Sequence, residues 1–169
     1  MTKLNLRCLR SKKYLSKLAN AGEAKANYIL WDETLEELRV RGGRGSDNLL
    51  EKTSDRYLLR AYELGYRPAA ETYGLMLSHG SISIKKDHSL AVKVLEEAYA
   101  MKPDDEQDNY GMGPCFTLQN LADYYSGQFG SEDYSGEAND EAHVHTLSRG
   151  VKDNCEILMF KYSKYLLEN

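Results

Sequence analysis

The stretch that most constrains this chain runs from Pro68 to Lys102, PAAETYGLMLSHGSISIKKDHSLAVKVLEEAYAMK. Ala69, Ala70, Tyr73, Met76 and Leu77 recur at helical spacing, and Gly80 ends that run. After a loop, Asp87 stands where a side-chain oxygen caps a second helix. Leu90, Ala91, Val94, Leu95, Ala98 and Met101 then continue as an apolar stripe at the 3.6-residue period. The segment predicts an αα-hairpin. A lone hairpin cannot bury both its faces, so the rest of the chain must supply stacked neighbours.

The order of small and apolar residues in this unit has a counterpart. Ala69, Tyr73-Gly74, Leu77 and Gly80, then Ile84-Lys85-Lys86-Asp87 and Ala91, then Glu97-Ala98, resemble a Sel-one-like repeat, a relative of the tetratricopeptide repeat with a longer inter-helix loop. The segments on either side match in part, and AYELGYRPAA resembles the junction between consecutive units. The resemblance implies an all-α fold: a short right-handed α-solenoid of about three helix–loop–helix repeats with capping helices. It also implies an adaptor or inhibitor role. Small free-standing proteins of this kind include immunity proteins, which neutralise a toxin by blocking its active site. Some family members are linked to hydrolysis of cell-wall-related compounds.

Composition narrows the class. The 169 residues suit one domain, residues 1–169, with a real core. No apolar run approaches the ~18 residues that a membrane span needs. The basic N-terminal stretch lacks the apolar centre of a signal peptide, so a cytoplasmic protein is expected. Cys8, Cys115 and Cys155 are odd in number and far apart in sequence. Neither a disulfide nor a CxxC-type zinc site is expected from them, unlike the secreted, cysteine-rich branch of the family. Each reads as a small buried apolar residue.

Charge is unevenly spread. Met1 to Lys25 holds seven Lys or Arg and one acid, whereas Pro103 to Ser148 holds ten Asp or Glu and no Lys or Arg. The second region should project a negative field. The N-terminal lysines and arginines interleave with a single aromatic, Tyr14, so a solvated end helix is expected there, and no nucleic acid partner.

Read in order, the chain predicts helices over Leu4 to Asn20 (with Tyr14, Leu15, Leu18 and Ala19 inward), Glu23 to Val40, and Asp55 to Leu64 with Thr53-Ser54-Asp55 as its cap. Ala24, Tyr28, Trp31, Leu35 and Leu38 form the second helix's seam. Gly42 to Ser46 is glycine-rich but has no GxxxxGK[ST] pattern and follows no strand, so a flexible connector is expected. Beyond the central hairpin, helices are predicted over Cys115 to Ser126, Glu141 to Ser148 and Lys152 to Glu168. Leu118, Leu121, Ala122 and Tyr125 point inward in the first of these. In the last, Cys155, Leu158, Met159, Tyr162, Tyr165 and Leu166 make the inner stripe. Ile157 and Phe160 lie off it, which suggests a dimer or partner contact, or a loop wrapped over the helix.

Candidate sites are few. His143 and His145 follow Asp140 and Glu141, but residues two apart on a helix point to different faces, and HExxH is absent. They are nonetheless the place to look for a hydrolase site. Ser131 to Glu137 is oxygen-rich without EF-hand spacing and reads as a solvated loop. No nucleophile signature such as GxSxG occurs. Neither a catalytic residue, a metal nor a cofactor is expected.

The thirteen tyrosines say more, because tyrosine combines large area, few torsions and a polar tip. Tyr66, Tyr110, Tyr124 and Tyr134 sit in polar surroundings. With Phe129 and the acids Asp104, Asp105, Glu132 and Asp133, they make a candidate surface for a basic protein partner such as a toxin or effector. The expectation is a non-enzymatic protein-binding module, an inhibitor or immunity protein acting through its concave groove and acidic loops. The alternatives are a scaffold in a multi-protein assembly and the hydrolase.

Overall fold

A computed structural model describes residues 3–101, 113–127 and 138–168, with side chains from Lys12 onward and not beyond Leu167. These residues form eight α-helices and no strand: α1 (Lys3–Asn20), α2 (Ala24–Val40), α3 (Asn48–Glu63), α4 (Arg67–His79), α5 (His88–Ala100), α6 (Gly113–Tyr125), α7 (Asp140–Lys152) and α8 (Glu156–Glu168). The closest pairings join α2 to α3, α4 to α5, and α6 to α7. Each pair also meets the next, and α1 and α8 flank the series. The fold is all-α, with most contacts between helices adjacent in sequence and a further one between α6 and α8.

Local chemistry sets the helix boundaries. The carboxylates of Asp47 and Asp87 accept the backbone N–H of Leu50 and Leu90 at 3.0 and 2.9 Å, satisfying donors that a helix start leaves free. Pro68 occupies the first turn of α4, where its missing N–H costs nothing. α3 closes through Gly65 at φ 79°, with the Tyr66 N–H on the Ala61 carbonyl and the Gly65 N–H on the Tyr62 carbonyl. The predicted cap at Thr53-Ser54-Asp55 is corrected here: α3 begins at Asn48, behind Asp47. Asp55 lies mid-helix and fully buried.

The core follows the predicted stripes. Leu58, Ala61, Ala69, Ala70, Leu77, Ala91, Val94, Leu95 and Ala98 are buried, and Leu118, Leu121 and Ala122 extend the same cluster. Trp31 lies with Tyr28 in the α2 seam, their ring centroids 4.9 Å apart. Gly74 brings α4 against α5, since a Cβ there would stand 2.8 Å from Leu95 Cγ. The inward assignments of Tyr14 in α1 and Leu90 in α5 fail, since both are exposed. Tyr125 packs half-buried against the core, and Tyr124 beside it takes a fully buried position.

Two buried polar systems tie hairpins together. Arg67 and Glu71 are both buried on α4, 2.8 Å apart, and Thr117 of α6 donates to the same Glu71 oxygen at 2.9 Å. Tyr28 of α2 and Thr72 of α4 share a hydrogen bond at 3.0 Å. In the second system, Arg44 reaches from the glycine-rich connector to Glu51 at 3.0 Å and Asp55 at 3.5 Å. The Gly45 N–H donates to Glu51, and Ser81 donates to Asp55. The connector is therefore anchored to two buried carboxylates, where the glycine content predicted flexibility.

Candidate functional site

The C-terminal end is built differently from the middle. α7 closes with the bonding that closes α3, but Asn154 at φ 59° replaces the glycine. The Cys155 N–H reaches the Gly150 carbonyl at 2.8 Å. Asparagine tolerates this left-handed conformation better than most residues. α8 then turns back so closely that a Cβ on Gly150 would collide with Leu158. Leu158 is the one fully buried side chain among the described residues of α8, with Tyr162 and Tyr165 half-buried beside it.

The outer face of α8 carries Ile157 at 58%, Phe160 at 73% and Leu167 at 87% exposure. With Lys164 they fall at i, i+3, i+7 and i+10, one stripe down the helix. Ile157 and Phe160 thus lie outside the inner stripe, where their spacing put them. Met159 and Leu166, assigned inward, are exposed instead. Lys161 is drawn to Asp123 of α6 at 2.5 Å, and Arg149 of α7 to Glu96 of α5 at 2.9 Å.

Cys115 and Cys155 form a disulfide, with their Cα atoms 5.4 Å apart. This corrects the expectation of three unpaired thiols. Their separation of 40 residues concealed the pairing. The signal lay in the topology: α6, α7 and α8 run up, down and up, so the first turns of α6 and α8 come to one end. Each of the two cysteines stands at such a helix start. Bridges of this kind persist in oxidising compartments. The cytoplasmic expectation rested on the lack of a signal-peptide centre, and a bridge of this kind counts against it. Among the described residues, no helix is long and apolar enough to cross a membrane.

Two of the proposed partner-facing tyrosines belong to the core. Tyr66 is 3% exposed and stacks on Tyr28, with centroids 5.3 Å apart. Tyr124 is 2% exposed, edge-on to His88, with its hydroxyl 3.3 Å from the imidazole Nδ1. Burial and the nearby Lys86 charge hold the His88 pKa below its ordinary value. Both positions were readable from spacing. Tyr66 precedes Ala69, Ala70 and Tyr73 on the inner stripe of α4, and Tyr124 follows Thr117 and Leu121 on that of α6. Polar neighbours in sequence masked the periodicity. Asp104, Asp105, Tyr110, Phe129, Glu132, Asp133 and Tyr134, with the oxygen-rich loop Ser131 to Glu137, lie outside the described residues.

The histidines diverge. His143 turns inward, where its Nδ1–H donates to the Ala122 carbonyl at 2.8 Å, and its ring meets Tyr165 edge-on. His145 is exposed beside Asn139, Glu141 and Ala142, which line a shallow cavity of about 300 Å³. The two imidazoles thus point to different places, His143 towards α6 and His145 into the shallow cavity. Among the described residues, no group of three or more His, Cys, Asp or Glu side chains is placed to hold a metal ion.

Searches of family models, of curated proteins and of solved structures each returned no match to this chain.

Proposed function

We propose that this protein is a non-enzymatic binding module that holds a cationic protein partner against its C-terminal end, as an inhibitor or immunity protein does. The observation that carries the reading is the uncovered apolar stripe of α8, Ile157, Phe160 and Leu167. A water-exposed phenylalanine flanked by aliphatic residues on a packed helix is a common anchor for a partner. Charge supports the choice of partner. α6 and α7 both touch α8, and from α6 to Ser148 the described residues carry Asp123, Asp140 and Glu141 and no Lys or Arg. Lys164 lies within the stripe itself, while Lys161 and Arg149 on its flank are matched by Asp123 and Glu96. An apolar stripe on a helix packed against acid-bearing neighbours suits a partner with a basic rim, and its association should be salt-sensitive.

The toxin-directed form of this reading rests on the resemblance of Pro68 to Lys102 to a Sel-one-like repeat. It is tested by co-expression with the captured partner. A single basic partner, toxic alone and harmless together with this protein at fixed stoichiometry, supports an inhibitor. Several partners from one process support a scaffold instead. Self-association through the same face, seen as a dimer that Phe160→Asp dissolves, would assign the stripe to a second copy and remove the argument for a foreign partner.

A further inference from the structure

We infer that the Cys115–Cys155 bridge is a thiol–disulfide exchange site, entered at Cys115 by a dithiol reductant. The bridge is asymmetric. Cys115 is an exposed residue at the start of α6, whereas Cys155 is 4% exposed. A cavity of about 290 Å³ opens on the pair, walled by Gln119, Asn154 and Ile157 among others. It gives an incoming thiolate room to approach.

Exchange proceeds by attack of a thiolate on one sulfur and departure of the other, and it is faster when the departing thiolate is stabilised. Cys155 immediately precedes α8, and its carbonyl accepts the Met159 N–H at 2.9 Å. Both sulfurs lie at helix starts, where free backbone N–H groups favour a thiolate, so it is exposure that selects Cys115 for attack and Cys155 for departure. In the first step the reductant's thiolate bonds to Cys115 Sγ, the Cys115–Cys155 bond breaks, and Cys155 departs as thiolate and takes a proton from water. In the second, the reductant's other thiol attacks its own sulfur in the mixed disulfide and releases Cys115 as a thiol. Two electrons pass from the dithiol, which becomes a disulfide, to the two cysteines.

Opening the bridge acts on α8. The bridge is its covalent tie to α6; Leu158 against Gly150 and Lys161 with Asp123 remain. With a single fully buried side chain among its described residues, α8 should loosen on the stack once the tie is gone.

The test uses the full chain in a Cys8→Ser background, which removes the third thiol, purified without reductant. The folded protein is pulsed with glutathione, a monothiol, quenched in acid, alkylated and mapped by peptide mass spectrometry. Glutathione should be found on Cys115 in at least about tenfold excess over Cys155. Treatment with dithiothreitol should then speed hydrogen exchange of α8 amides by about tenfold, with α4 unchanged. A Cys115→Ser/Cys155→Ser variant should match the reduced protein in α8 exchange. The inference is overturned if the purified protein holds both cysteines as free thiols, if glutathione settles on Cys155, if exchange occurs only on unfolding, or if α8 protection is the same with the bridge open and closed.

Discussion

The α4–α5 hairpin and the α7–α8 hairpin use the same device and end differently. Each brings two helices together at a glycine, Gly74 against Leu95 and Gly150 against Leu158. In the first, neighbours on both sides bury what is left, and Ala69, Ala70, Ala91, Val94 and Ala98 are all sealed from water. In the second, the outer face of α8 keeps Ile157, Phe160 and Leu167 in water. The middle of the stack is fixed by burial on two sides. The end is held by burial on one side, a disulfide and an ion pair. A surface of that kind is available to a partner, and its attachment is open to chemistry.

The comparison predicts where substitutions hurt. The largest effect is expected in the middle. Glu71→Ala leaves Arg67 buried without its 2.8 Å partner and should cost about 3–5 kcal/mol in urea unfolding. A loss below about 1 kcal/mol would mean that other groups carry the Arg67 charge, and that this pair is not what ties the middle together. Next come two buried leucines, Leu95 and Leu158, each 1% exposed. Leu95→Ala should fall near the top of the range of about 2–5 kcal/mol for such truncations, and Leu158→Ala near the bottom, because one wall of its site faces the end of the stack and can relax. Equal losses would erase the distinction between middle and end.

Surface and titration effects are smaller. Phe160→Asp should leave stability within about 0.5 kcal/mol of the parent while weakening partner binding strongly. Tyr62 supplies the smallest effect. Burial first, and then its 2.9 Å hydrogen bond to Glu97, push its pKa from 10.0 up to about 12. The folded protein holds the phenol's proton more tightly than the unfolded chain does. The stability linked to Tyr62 is therefore complete below about pH 10 and is lost as pH rises from about 10 to about 12. Tyr62→Phe should flatten that part of the alkaline unfolding curve. An unchanged slope would remove the link between α3 and α5 from the account.

What the sequence made legible follows the same division. The central hairpin could be read almost residue by residue, because capping and the 3.6-residue period are local signals: Asp87, Gly80 and the stripe from Ala91 to Ala98 all stand where expected. Asp55 was misread as a cap because its partners, Arg44 and Ser81, come from two connectors distant in sequence. The pairing of Cys115 with Cys155 was missed for a related reason: it depends on three helices reversing direction twice, and spacing along the chain does not record that. At the candidate surface, Ile157 and Phe160 were legible as off-stripe residues. Tyr66 and Tyr124 were misplaced because the polarity of neighbours was weighed above period.

The most direct test of the binding account compares the intact protein with an Ile157→Asp/Phe160→Asp variant. The variant must first be shown to be folded by its unfolding curve. Both are used as bait at low and high salt, and the captured protein is purified and its affinity for each is measured. The account predicts one basic partner, bound by the parent at low salt, weakened as salt rises, and lost by at least about tenfold in the variant. A partner bound equally by both proteins would contradict it and move the binding surface away from α8.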